Sequence, residues 1–99
     1  MALSDEQRES IYRLVRSEPN YVRFFRYLSA LQLNMRQSSL AVVENQSGLN
    51  HKNSLELMRK IAATGVAEMH SGGGQASFLT WRDDVDIREV GRSADQPLR

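Results

Sequence analysis

QSSLAVVENQSGLNHKNSLELMRKIAATGVAEMHSGGGQASFLTW, residues 37–81, holds the most particular order of signals in the chain. Ser38 or Ser39 can cap a helix whose Leu40, Val43 and Val42 point inward, because a serine hydroxyl accepts an N–H that the first turn leaves free. Gly48 then marks a tight turn, and Asn50 or Asn53 can cap a second helix. In that helix Leu55, Met58, Ile61 and Ala62 recur at helical spacing, so their side faces a core. Lys52, Asn53, Glu56, Arg59 and Lys60 lie largely opposite. Gly65 follows the last turn, where a positive φ commonly ends a helix, and the alternating VAEMH and ASFLTW segments suit strands. Between them the Ser71–Gln75 tip, SGGGQ, is a hairpin loop longer than the two-residue turns that fix register tightly.

Helix, turn, helix and hairpin in this order resemble the winged helix-turn-helix DNA-binding domains of bacterial, phage and plasmid transcription regulators. Leu40, Ala41, Gly48, Leu49, Leu55, Met58, Gly65 and Val66 carry the likeness, with a longer segment between Ala41 and Gly48 than the commonest spacing. The resemblance covers a little under half of the chain. It implies an α+β fold, mainly α with a small β-hairpin: about four helices and a two- or three-stranded wing. It also implies a double-stranded DNA partner, with helix 50–64 in the major groove.

Residue chemistry suits that implication. Asparagine can bond bidentately to adenine, and lysine or arginine to guanine. Lys52, Asn53 and Glu56 are the expected base contacts, with His51 and Ser54 at the rim, and Asn50 at the helix start and Ser39 at the start of the preceding helix complete the expected DNA-binding set. Arg59 and Lys60, further along, suit phosphates. On the wing, His70, Gly73 and Gln75 can approach the backbone or the minor groove, although the tip lacks the lysine or arginine of a strongly binding wing.

At 99 residues, 40% apolar and 25% charged, the chain fits one soluble domain with one modest core. It has no cysteine, so disulfides and thiolate chemistry are excluded. No apolar run reaches the roughly 18 residues of a membrane span, and MALSDEQRES is too polar for a signal peptide, so a cytoplasmic protein is expected. A net charge of +1 falls short of the usual nucleic-acid binder. Its placement offsets this. Residues 1–65 hold nine Lys or Arg against six Asp or Glu, and residues 66–99 hold four against six.

Upstream, Ser4 and Gln7 form a capping box for a helix that stops near Ser17, since Pro19 disfavours helical geometry at Glu18. Its narrow stripe of Ile11, Leu14 and Val15 is the expected homodimer surface. A second helix, starting at Pro19 or Asn20, carries Tyr21, Phe24, Phe25, Leu28 and Leu31 on one side as the central core helix. Arg23 and Arg26 alternate with those rings and read as solvated neighbours of a buried face rather than as a stacking patch for nucleic acid. Asn34, Met35 and Arg36 read as a connector.

Downstream, Phe78 and Trp81 cover the core. Asp83, Asp84 and Asp86 alternate with Val85 and Ile87 as in an edge strand, without the glycine and distal glutamate of a calcium loop. Residues 1–90 are expected to form the single domain and 91–99 a disordered tail. His51 and His70 stand on different elements with no acid at a recurring spacing, so no catalysis is expected. Neither a cofactor nor a small-molecule ligand is indicated, and GGG is no phosphate-binding motif. A DNA-binding regulator is the reading the residues favour. A winged-helix adaptor or inhibitor that binds only protein is the alternative.

Overall fold

The computed structural model describes residues 3–72 and 75–95, the Gln75 side chain excepted. Among these residues five α-helices and one three-stranded antiparallel sheet form an α+β fold. The order is α1 (Asp5–Ser17), a 3-10 turn (Pro19–Tyr21), α2 (Val22–Ser29), β1 (Gln37–Ser39), α3 (Leu40–Ser47), α4 (His51–Ala63), β2 (Ala67–Gly72), β3 (Gln75–Trp81) and α5 (Ile87–Ser93). No helix among them is long and apolar enough to cross a membrane.

Local chemistry explains most boundaries. The Ser4 hydroxyl accepts the Gln7 N–H and the Gln7 side chain accepts the Ser4 N–H, both at 3.1 Å, which closes the capping box of α1. Glu18, held out of helical geometry at φ −143° and ψ 85° ahead of Pro19, ends that helix. Ser39, not Ser38, caps α3, and Asn50, not Asn53, caps α4. Gly48 closes α3 in the left-handed region at φ 75°, where a Cβ is strained, and Gly65 follows α4 at φ 89°.

Helix α2 is central, with α5 and α3 packed on it and α1 packed on α5. Phe24, Phe25 and Leu28 are wholly buried, and the two phenylalanine rings meet edge to face at 6.0 Å. Leu31 falls past the end of α2 and is only half-buried, because the helix stops at Ser29. Strand β3 lies between β1 and β2. Register puts Ala67, Met69, Leu79 and Trp81 on the inner face, and Glu68, His70, Phe78 and Thr80 on the outer. Strand β1 has no counterpart in the sequence reading. Its Ser38 is opposite Leu79 and buried, and the Trp81 indole N–H donates to the Ser38 hydroxyl at 2.9 Å. No buried side-chain nitrogen or oxygen among the described residues lacks a hydrogen-bond partner.

Three expectations are corrected. Ile11 and Val15 are 1% and 6% exposed within the single chain, so the core has already consumed the stripe assigned to a dimer surface; Leu14 is half-buried beside it. Asp83, Asp84 and Asp86 belong to no strand. Asp86 caps α5, and the acids pair with Arg36, Arg82 and Arg88 in turn. Gly91 does not begin a tail: it is buried inside α5, where an added Cβ would lie 2.4 Å from the Ser29 nitrogen and 2.5 Å from the Phe25 oxygen. Only a residue without a side chain lets α5 approach the α2 backbone so closely. Residues 96–99 lie outside the described part.

Candidate nucleic-acid interface

Helix α4 presents its two sides through strict periodicity. Ser54, Leu57, Met58 and Ile61, spaced i, i+3, i+4 and i+7, are at most 1% exposed. Leu57, which the sequence reading passed over, takes the central place that it gave to Leu55, and Leu55 and Ala62 are half-buried at the flanks. Ser54 is thereby removed from the rim of the candidate site. Its hydroxyl donates to the Leu49 carbonyl at 3.4 Å and ties the helix to the preceding turn. Asn50, His51, Lys52, Asn53, Glu56, Arg59 and Lys60 are all exposed.

Several of these exposed groups already have partners. The Asn50 side chain accepts the Asn53 N–H at 2.8 Å, which leaves its own NH2 free to donate outward. His51 Nδ1 lies 3.2 Å from a Glu44 carboxylate oxygen, linking α4 to α3. Arg59 stands 3.5 Å from Glu56 in an exposed pair, a contact of little worth to stability and readily exchanged for another. Lys60 points back, donating to the Tyr21 hydroxyl at 3.3 Å with its ammonium 5.3 Å from the ring centre. That hydrogen bond holds the Lys60 ammonium above its ordinary pKa. Lys52 makes no hydrogen bond or ion pair among the described residues and stands in the first turn, the best-placed cation on the helix.

The hairpin adds His70, which stacks on Phe78 with ring centres 4.9 Å apart and planes 19° from parallel. Both are half-buried on the outer sheet face, and Ser39 of β1 is in register with Phe78. The Ser39 hydroxyl, while accepting the Val42 N–H, stays exposed at the head of α3. Gly73 and the Gln75 side chain lie outside the described residues.

A group that the sequence left among the solvated neighbours joins this surface. Arg23, in the first turn of α2, lies against the α3–α4 turn, so that a Cβ on Gly48 would come 2.7 Å from its guanidinium nitrogen. Nothing local signals this contact, because 25 residues separate the partners. Between the 3-10 turn and the α3–α4 turn opens a cavity of about 630 Å³, lined in part by Asn20, Arg23, Ser47, Asn50 and Asn53. Among the described residues no cluster of three or more His, Asp or Glu is arranged to hold a metal. No protein-family model, curated protein or solved structure matches the chain.

Proposed function

We propose that this chain is a small winged helix-turn-helix regulator that binds double-stranded DNA sequence-specifically, with α4 in the major groove and the β2–β3 hairpin as wing. One arrangement supports the reading. Helix α4 buries one side completely and turns Lys52, Asn53, Glu56 and Arg59 outward, beside a hairpin whose second strand pairs with the strand leading into α3. Lysine and asparagine then meet base edges, Glu56 can accept from a cytosine amine, and Arg59 holds a phosphate. The chain works as a homodimer, because one such helix spans few base pairs and two-fold pairing multiplies specificity. The paired surface lies elsewhere than Ile11 and Val15.

The test is titration of the purified protein against fluorescent duplexes drawn from random genomic DNA, at low and near-physiological salt, with the solution mass measured alongside. The expected result is saturable binding of a dimer to a subset of duplexes that survives the higher salt. Replacing Lys52 and Arg59 together by alanine lowers affinity by at least about tenfold and flattens the salt dependence by about the one phosphate contact of Arg59. Undiminished binding by that double variant ends the site assignment.

A second reading has its own observation. Six arginines, Arg8, Arg13, Arg36, Arg59, Arg82 and Arg88, are paired with acids within the chain, which reduces the cationic surface open to DNA. A winged-helix module that binds protein accommodates this, and the absence of any duplex binding at low salt selects it.

A further inference from the structure

The cavity between the 3-10 turn and the α3–α4 turn differs from the rest of the surface in its charge. Arg23 is the one charged residue among those lining it, and the other polar groups there are the side chains of Asn20, Ser47, Asn50 and Asn53. No carboxylate lines it. Two of the acids on the adjoining helices are engaged elsewhere, Glu44 by His51 and Glu56 by Arg59, while Glu18 precedes the lining residue Pro19 without an ion pair among the described residues. Arg23 itself has neither an ion pair nor a hydrogen bond among the described residues, in a chain where six other arginines are paired. Its guanidinium lies against the α3–α4 turn, where a Cβ on Gly48 would come 2.7 Å from it. Asn50 keeps its NH2 free because its oxygen is taken by the Asn53 N–H. An unpaired guanidinium flanked by amide donors from two separate elements is complementary to a tetrahedral oxyanion.

We infer that this cavity is a phosphate site, with Arg23 as its charged ligand and Asn20 and Asn50 as neutral donors. The phosphate comes either from the nucleic-acid backbone or from a free phosphate-bearing molecule. The first source rests on the DNA reading above and deepens it: α2 supplies a backbone clamp at the leading end of α4, remote in sequence from the hairpin. The second source needs no DNA.

Nitrogen-resolved NMR of the full chain tests the shared chemistry. The Arg23 Nε–H and the Asn20 and Asn50 amide signals are followed as inorganic phosphate replaces chloride at constant ionic strength and pH. Saturable shifts are expected in the native chain and in Arg26→Gln, which removes another exposed charge from the same helix, and no shifts in Arg23→Gln. Duplex titrations of the same three proteins identify the source. Affinity roughly tenfold weaker in Arg23→Gln, with a salt slope shallower by about one and Arg26→Gln unchanged, assigns the backbone. Phosphate shifts with an unchanged duplex slope, or with no duplex binding by any of the three, assign a free phosphate compound. If phosphate moves none of these signals and Arg23→Gln leaves any duplex affinity and slope as they were, the inference is overturned.

Discussion

Helices α4 and α5 share two features as strings: each is capped by a side chain, Asn50 or Asp86, and each is rich in charge. They spend that charge in opposite ways. On α5, Glu89 takes Arg8 at 2.8 Å, Arg88 reaches Asp86 and the Gln32 carbonyl, and Ile87, Val90 and Gly91 disappear against α1 and α2. On α4, Lys52 and Asn53 face outward, and Arg59 is held only by an exposed neighbour on the same helix. The difference teaches that a helix is available for recognition when its buried side alone satisfies the fold. A helix whose polar groups are also consumed by its neighbours is a structural strut, whatever its composition. Substitution should therefore damage folding on α5 and binding on α4.

The largest expected effect is at Gly91. In Gly91→Ala the methyl group meets backbone atoms of Ser29 and Phe25 that cannot rotate away, so α5 must lift from α2. Overpacking of this kind costs about 3 kcal/mol, which lowers the melting temperature of a domain this size by roughly 12–24 °C. Thermal and urea unfolding measure it, and a loss below about 0.5 kcal/mol would show that the two helices are not in close contact. The contrast sharpens if the Lys52 and Arg59 double variant, measured in the same way, keeps the native midpoint.

Next is Asn34, whose side chain donates to the Val85 carbonyl at 3.2 Å and accepts the Ile87 N–H at 2.9 Å. Asn34→Ala leaves both groups without that partner at the start of α5 and costs about 2 kcal/mol. Hydrogen exchange should show the Ile87 amide opening first. If exchange at Ile87 is unaltered, Asn34 does not anchor the helix.

The smallest effect concerns acid. The hydrogen bond from the Arg88 side chain holds the Asp86 carboxyl below its ordinary pKa. A carboxylate depressed in the folded state contributes stability above its unfolded pKa, near 4, and loses it as pH falls through the lower folded value. Because both side chains are about one-third exposed, solvent screening limits the contribution to about 0.5 kcal/mol or less. Asp86→Asn should lower stability near pH 7 and flatten the acid limb below about pH 4. A variant with the same acid limb as the native chain removes Asp86 from that account.

The same contrast explains what could be read from the string. The chain from Ser39 to Trp81 is legible in outline because its caps, Gly48 and Gly65 are local signals, and because the polar side of α4 follows from counting residues; Phe78, expected over the core, instead stacks on His70 at the outer face. Helix α5 is not legible. Its DVDIREV start alternates like a strand, and its helical state depends on burial against α2 more than 50 residues earlier. Strand β1 is only three residues long, and its pairing with β3 is a long-range event that no local pattern announces. Within the candidate site, Ser54 beside its asparagine neighbour reads as exposed, and only the burial of Leu57 fixes it on the inner side. Arg23 was set aside because its partner, Gly48, belongs to another element.

Ser39 is both the last residue of β1 and the cap of α3, and β1 is bonded to the second arm of the hairpin. The Trp81–Ser38 bond rivets that junction from inside. The base of the hairpin and the α3–α4 pair are thus joined without a loop between them that could flex. They hold a set spacing, like the jaws of a locked calliper, so under the proposed function a duplex seated on both would be gauged by its width as well as by its chemistry.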